Sequence, residues 1–377
     1  MDNPFTIRLY DKHLSRTGWV NNPLELSITP AHNQVGSATI SVASNHKYLD
    51  ALRTHGARAV IHYYDEHLMS GYITRRAGAG PSRTGRFDFT LQDDLWLIWR
   101  MLGWPAPGSS ITAQGTKSDV RTGAAETVAK AFVSANLAHN TVDPIVVAPD
   151  LGRGSSISPP GIRMTNLADA LMTLVDTAGI GLSARQVGTE KQGTGILLDA
   201  YVPRVYPHIL SEAAGTIASY SWSDDDPTMT RNIIGGPNEG TNRQFRQSID
   251  GALETDYGYT NEGFVDASSA DTVAAILKAG TDALTENGPK AGFSVELAET
   301  KNFRYGGSGV HVGDQVPVDI GGNTLTDVLR KATLTFNPDD GLVIEPNIGD
   351  HTDDPTEKVL DYVDKLSRGV DNLRTQR

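Results

Sequence analysis

The chain has 377 residues, 38% hydrophobic and 21% charged, enough for two or three domains at roughly 150 residues each and unlike a disordered or membrane-embedded composition. Its 45 acidic and 33 basic residues give a net charge of −12, which excludes a protein built to grip nucleic acid by neutralising phosphates, though not a surface past which DNA slides. With no cysteine, thiol nucleophiles, thiolate metal sites and disulfides are excluded together. The opening Met1-Asp2-Asn3-Pro4 lacks a basic stretch followed by an apolar core, so no signal peptide is expected. No window approaches the run of about 18 apolar residues that spans a bilayer, so no membrane span is expected.

The first hundred residues alternate in period two. Phe5, Ile7 and Leu9, then Leu24, Leu26 and Ile28, then Ala38, Ile40 and Val42 are separated by polar residues. Residues 60–64 and 87–91 continue the series, as half-buried strands do. Asp65-Glu66-His67 reads as a hairpin tip, Gly71 opens the next strand, and a short helix is expected from Lys47 to Arg53. Between Gln92 and Pro107 lie Trp96, Trp99 and Trp104 in a helix-like apolar pattern ended by Gly103 and Pro105. They read as a core-plugging helix, with a sugar-binding aromatic platform as the alternative.

From Gly108 the period changes. Thr122 is placed to cap a helix carrying Ala125, Val128, Ala129, Phe132, Val133 and Leu137 on one face. Thr165 starts a second helix through Leu167, Leu171, Leu174 and Val175, stopped by Gly179. A hairpin pairs residues 182–184 with 196–198. Strands return over 217–234, and Ser268 with Asp271 fits a capping box ahead of Val273, Ile276, Leu277 and Leu284. Further strands fall at 293–297, 316–320, 324–336 and 342–344, the last two joined by the turn Asn337-Pro338-Asp339-Asp340-Gly341.

At the end, Asp354 caps, Pro355 takes the first helical position, and Val359, Val363, Leu366, Val370 and Leu373 recur as a heptad seam. Asp361 with Lys365 and Asp364 with Arg368 flank it as i,i+4 pairs. So short a seam holds only against another surface, either its own domain or copies of itself. The pattern therefore gives a mainly β fold with an α+β insert: two β-barrel-like or sandwich-like modules flanking a small α/β module, and a C-terminal helix. The expected boundaries are 1–107, 108–215, 216–352 and 353–377.

The search for chemistry finds no catalytic, cofactor-binding or metal-binding residues. Gly115-Thr116-Lys117-Ser118 has the wrong order for a phosphate loop. Gly179-Ile180-Gly181-Leu182-Ser183-Ala184 has dinucleotide-motif spacing but follows a helix and opens a strand, the reverse of what pyrophosphate binding requires. Gly307 to Gly313 is one residue too long for the same motif. The pairs His62/His67 and His46/His55 lack metal spacing. Asp224-Asp225-Asp226 and the group Asp350, Asp353, Asp354 read as solvated turn acids rather than a cation site.

Several segments resemble one family, in order along the chain. They are Gly36 to Val42 with Leu49, Leu52, Gly56-Ala57-Arg58 and Met69-Ser70-Gly71; Asp93-Asp94-Leu95-Trp96-Leu97 through Pro107; Asn232 to Gly236 with Gly240 and Arg243; and Val312-Gly313-Asp314-Gln315-Val316 with Ile348-Gly349-Asp350. The chain resembles the minor tail protein, or tail-tip hub, family of long-tailed actinobacterial phages, related to baseplate-hub and tail-associated proteins. The resemblance implies a non-enzymatic virion protein at the tail tip, assembled in the host cytoplasm. It implies a ring, expected to be a trimer, that joins the tail tube to the distal tip and lines or closes the DNA channel. The implied partners are its own copies, the distal tail, tape-measure and central fibre proteins, and passing DNA without specific binding. The alternatives are a receptor- or carbohydrate-binding tail protein and a β-rich cell-wall hydrolase.

Overall fold

The computed structural model describes residues 3–349 apart from 82–83, 141–143, 160, 189–194, 239, 269, 271, 298–303 and 321–322. The period-two segments become β1 (Phe5–Tyr10), β2 (Arg16–Val20), β3 (Glu25–Thr29) and β4 (Ser37–Ala43), then α1 (Leu49–Arg53), β5 (Arg58–Tyr63), β6 (Glu66–Ala79) and β7 (Arg86–Asp93). The β5–β6 turn sits one step earlier than the sequence suggests. Tyr63 pairs with Glu66, and Tyr64 and Asp65 both take positive φ, so Glu66 opens the return strand.

Next come a single helical turn, α2 (Trp96–Trp99), then α3 (Ala125–Asn136), β8 (Ile145–Val147), α4 (Leu167–Thr177), β9 (Gly181–Val187) and β10 (Gly195–Tyr201). Helix α3 is not capped by Thr122, whose hydroxyl pairs with Ser158. The backbone carbonyls of Ser155 and Arg153 take its first two N–H groups instead. Asn166, one residue past Thr165, caps α4 through the Ala168 N–H. Thr165 and Asn166 pair with Gly103 and Leu102, which shortens the helix. Gly179 ends it at φ +76°, and Gly181 opens β9.

Then follow β11 (Ile217–Asp225), β12 (Arg231–Gly235), β13 (Phe245–Ile249), α5 (Gly251–Tyr257), β14 (Glu262–Asp266), α6 (Val273–Glu286), β15 (Lys290–Leu297), β16 (Gln315–Ile320), β17 (Asn323–Asn337) and β18 (Gly341–Gly349). Thr272 rather than Ser268 caps α6, and Asp271 lies outside the described residues. Helix α5 carries its own signals, the Asp250 cap and Gly258 at φ +74°.

The fold is mainly β, and its two flanking β regions meet. Leu26 and Ile28 of β3 pair with Phe336 and Leu334 of β17. One 13-stranded sheet results, whose main path runs β11-β15-β18-β17-β3-β4-β7-β6-β5-β1-β2, each neighbour antiparallel. Strand β16 pairs with β17 off this path, and Leu210–Ser211 pairs in parallel with β16. Ile7, Leu26, Ile28, Ile40, Ile61 and Leu91 are fully buried in a core shared with Val316, Val318 and Leu334. Each such side chain contributes about 1.5–3 kcal/mol by leaving water.

A second core packs α2, α3 and α4 against β9 and β10 through Phe132, Val133, Leu171, Val175 and Leu198. A third is small: α6 lies on β12 and β13, with Ile234, Ala267 and Ile276 buried.

Candidate functional site

Several buried polar residues lie where the first and second cores meet. Arg58 on β5 and Asp94, one residue past β7, are both fully buried, with Nη2 donating to Oδ1 at 2.6 Å. The Ser70 hydroxyl donates to the other Asp94 oxygen at 2.6 Å. Both Arg58 and Ser70 also reach into the helical module: Arg58 Nε donates to Gln186 Oε1 at 3.1 Å, and the Gln186 N–H donates to Ser70 Oγ at 2.8 Å. The guanidinium lies 4.1 Å from the Tyr72 ring centroid. Burial pushes the Asp94 carboxyl up, against the pull of Arg58 and Ser70. Adjacent Asp93 accepts the Gly36 and Leu95 N–H groups, and burial pushes its pKa up to about 8.

A second joint ties the β3–β4 connection to α4. The His32 ring reaches Tyr201 OH at 2.7 Å and Asp176 Oδ1 at 3.0 Å. Asn33 Nδ2 donates to the Ile180 carbonyl, while its Oδ1 accepts the Leu182 N–H. Arg330 of β17 donates to Asp176 at 2.6 Å. Burial raises the Asp176 carboxyl, but hydrogen bonds from His32 and Arg330 and the Arg330 charge override it, leaving the group well below the usual carboxylate range. A third joint links β6 to the loop before β16. Glu66 accepts from Gly307 N–H at 2.8 Å and lies 3.3 Å from His311, while Arg204 binds Asp314 at 2.6 Å.

The small core is fastened the same way. The Asn232 amide, fully buried, donates to the Gly280 carbonyl of α6 at 2.7 Å. Arg243 binds the Gly235 carbonyl and Asp266.

Few of the residues weighed for chemistry come together. Trp96 lies under the Arg100 guanidinium, Trp99 packs on the second core and Trp104 stacks on His139 at 3.9 Å. Each is half-buried with its own neighbour, so they form no shared platform. His62 and His67 face each other across β5 and β6, with ring centroids 5.9 Å apart; burial drives His67 down to about 4. His55 is exposed. Asp225 and Asp226 are exposed, and Asp350, Asp353, Asp354 and the seam Val359, Val363, Leu366, Val370 and Leu373 lie outside the described residues. Among the described residues no group of three or more His, Asp or Glu is placed to hold a metal. A cavity of about 220 Å³ opens beside the first joint, walled in part by His67, Asp93 and Tyr305. Burial disfavours the charged forms of both His67 and Asp93 in that wall.

The polar joints were missed as such in the sequence, although many of their residues lie inside the segments that carry the resemblance: Gly36, Arg58, Ser70, Asp93, Asp94, Asn232, Arg243 and Asp314. Arg58, Ser70 and Asp94 lie where the sheet is fastened to the helical module, whereas Asn232 and Arg243 fasten elements inside the third core.

Such an arrangement defines a class of rigid, multi-core β proteins whose polar residues serve each other. Residues 6–350 match the family model described as Siphovirus ReqiPepy6 Gp37-like protein, and the chain belongs to that family. Its fold is that of phage and prophage tail proteins. The 43 kDa tail protein of prophage MuSo2 from Shewanella oneidensis superposes with a TM-score of 0.57 at 11% identity, over 91% of this chain and 98% of that one. The tail protein from Neisseria meningitidis MC58 gives 0.55 at 12%, over 92% and 97%. Prophage tail protein gp18 from Listeria monocytogenes EGD-e gives 0.53 at 10%, over 96% and 99%. No curated protein sequence matches the chain.

Proposed function

We propose that this protein is a non-enzymatic wall segment of a phage tail tip: a hub-type minor tail protein that forms a ring, taken as a trimer, between the tail tube and the distal tip. The observation that carries this reading is the single sheet running from β2 to β11, drawn from both flanking β regions and tied to its helical module by hydrogen bonds around the buried Arg58–Asp94 pair. A wall that must keep its shape under load needs one continuous hydrogen-bonded layer. Family membership and the fold shared with tail proteins support placing that wall in a virion.

In this reading the ring lines or closes the DNA channel. The net charge of −12 supports that role by letting DNA pass without adhesion. Its neighbours are the distal tail, tape-measure and central fibre proteins, and residues 355–377 add the seam Val359, Val363, Leu366, Val370 and Leu373 near the ring axis. The native mass of the purified full chain, together with immunogold labelling of intact particles, tests the proposal. A multiple of the chain mass and label at the distal tail end are expected. A monomer at all concentrations, or label on capsids, overturns it. Deleting residues 355–377 tests the seam separately, and an unchanged assembly mass discards it.

A further inference from the structure

We infer that in the free chain residues 355–377 lie in a groove of their own chain, between α4 and α6, with the seam Val359, Val363, Leu366, Val370 and Leu373 turned into it. This goes beyond the ring reading, which brings the same seam to the axis only when copies assemble. The groove is a cavity of about 710 Å³. One wall is the face of α4 that carries Ala170, Thr173 and Thr177, and the other is the face of α6 that carries Ala275, Ala279 and Asp282. Small side chains on both faces leave room for the side chains of a third helix. Among the described residues, none of the buried side-chain polar atoms left without a partner lines the groove. It therefore offers a small polar ligand no waiting buried donor or acceptor, and an apolar face suits it better.

Reach, length and charge all fit the tail. Gly349, where the described residues end, pairs with Gly292 of β15. Residues 287–292 lead there from Glu286 on the groove's rim, at most about 20 Å along the chain. That stretch also turns back at its start, the Gly288 N–H donating to the Thr285 carbonyl. Residues 350–354 extended, with one helical turn after them, reach about 22 Å, which brings Val359 to Glu286. So short a tether gives an effective concentration on the order of millimolar, enough to dock a seam too short to hold alone. As a helix, the seam from Val359 to Leu373 measures about 21 Å, and α6 from Val273 to Glu286 about 20 Å. Run antiparallel to α6, the seam keeps step with Glu286, Asp282, Ala279, Ala275 and Thr272, which repeat at the same spacings. Lys278 offsets Asp282 and Arg243 offsets Asp266, so Asp169 and Glu286 leave the walls acidic. The second half of the tail is basic, with Lys365, Arg368, Arg374 and Arg377 against Asp371.

The chain's lack of cysteine makes the test direct. In the full chain, Ala279→Cys with Leu366→Cys, and separately Ala275→Cys with Val370→Cys, are oxidised mildly and run under denaturing conditions. Both pairs should lose their free thiols while the band stays at the mass of one chain. Ala275→Cys with Val359→Cys, displaced by about 16 Å along α6, should link at least roughly tenfold more slowly. Covalent multimers from the matched pairs overturn the inference in favour of a neighbouring copy's tail. Free thiols in both matched pairs overturn it too, as does equal linking of the displaced pair. Thr173→Trp, on an exposed position of α4, fills the groove without touching the tail. It should speed trypsin cleavage after Lys365 and Arg368 at least roughly tenfold, towards the rate in a peptide of residues 350–377; an unchanged rate overturns the docking. Native mass before and after oxidation keeps the two readings apart. A monomer before oxidation ends the ring, a locked tail that still assembles ends the axial seam, and the cross-links alone decide the groove.

Discussion

Replacing Arg58 with Met tests whether the sheet and the helical module are held by the buried pair. Both partners are fully buried, so Asp94 would be left with the Ser70 hydroxyl and no counter-charge. Removing one member of such a pair costs about 3–5 kcal/mol, against a whole-protein stability on the order of 5–15 kcal/mol. The carboxyl can escape part of that cost by taking a proton, to which burial already predisposes it. The variant should therefore lose less stability at mildly acidic than at alkaline pH. Asp94→Leu alone should be comparably damaging, since it strands a guanidinium. The double variant Arg58→Met with Asp94→Leu should recover most of the loss, because an apolar pair of similar volume often matches a buried ion pair. Urea unfolding followed by tryptophan fluorescence gives the cost, and hydrogen exchange across Gly181–Val187 shows whether the released strand is the one Gln186 fastens. A single-variant cost below about 1 kcal/mol, the value of an exposed pair, would refute the reasoning, as would strictly additive losses in the double variant.

Gly71→Ala should be among the most damaging conservative changes. Its new Cβ would lie 1.9 Å from the Gln92 carbonyl oxygen across the β6–β7 ladder, and a cost of at least about 1–3 kcal/mol is expected, read as a lowered melting temperature. Asn232→Ala leaves the Gly280 carbonyl without its buried donor, for about 1–3 kcal/mol; hydrogen exchange over Val273–Glu286 should speed up while β3 and β4 stay protected. For pH, Asp93 is raised to about 8 in the fold, so its contribution is fully present below its unfolded value and is lost as pH rises towards 8. Asp93→Asn should cost one N–H acceptor at every pH and flatten the decline that runs from the unfolded carboxylate value up to about 8 in a melting series. Asp176, depressed, works the other way: its contribution is present above its unfolded value and fades as pH falls towards its folded one, and Asp176→Asn should flatten the acid limb.

The strands were legible because burial on one face imposes period two, as Ile7, Leu26 and Ile40 show. Helix starts were less legible, for a local reason. Thr122 has the right chemistry for a cap, but the 153–155 backbone reaches the helix end first, and a loop that returns from about thirty residues away leaves no trace in spacing. The pairing of β3 with β17 was hidden for the same reason at greater range, since the partners Ile28 and Leu334 stand far apart in the chain and look like any two half-buried strands. Arg58, Asp94 and Asp314 show the opposite case. Each sat in a segment whose resemblance was readable, yet nothing in one sequence said that Asp94 faces Arg58 and not water.

An apolar joint between the sheet and the helical module would have been easier to build, and the polar one does something else. Hydrophobic contact tolerates sliding, because one methyl serves about as well as the next. Gln186 has no such freedom: it receives from Arg58 through its side chain and donates to Ser70 through its backbone. Asn33 likewise meets both the carbonyl of Ile180 and the N–H of Leu182. A shift of β9 by one residue would turn these bonds into buried unpaired groups, each costing about 1–3 kcal/mol. The joints therefore fix register as well as contact. The third core, with three buried apolar residues among the described ones, has the least apolar burial to add to its Asn232 and Arg243 fastenings. If the wall yields anywhere, it should open there first, between β12 and α6, before the shared sheet does.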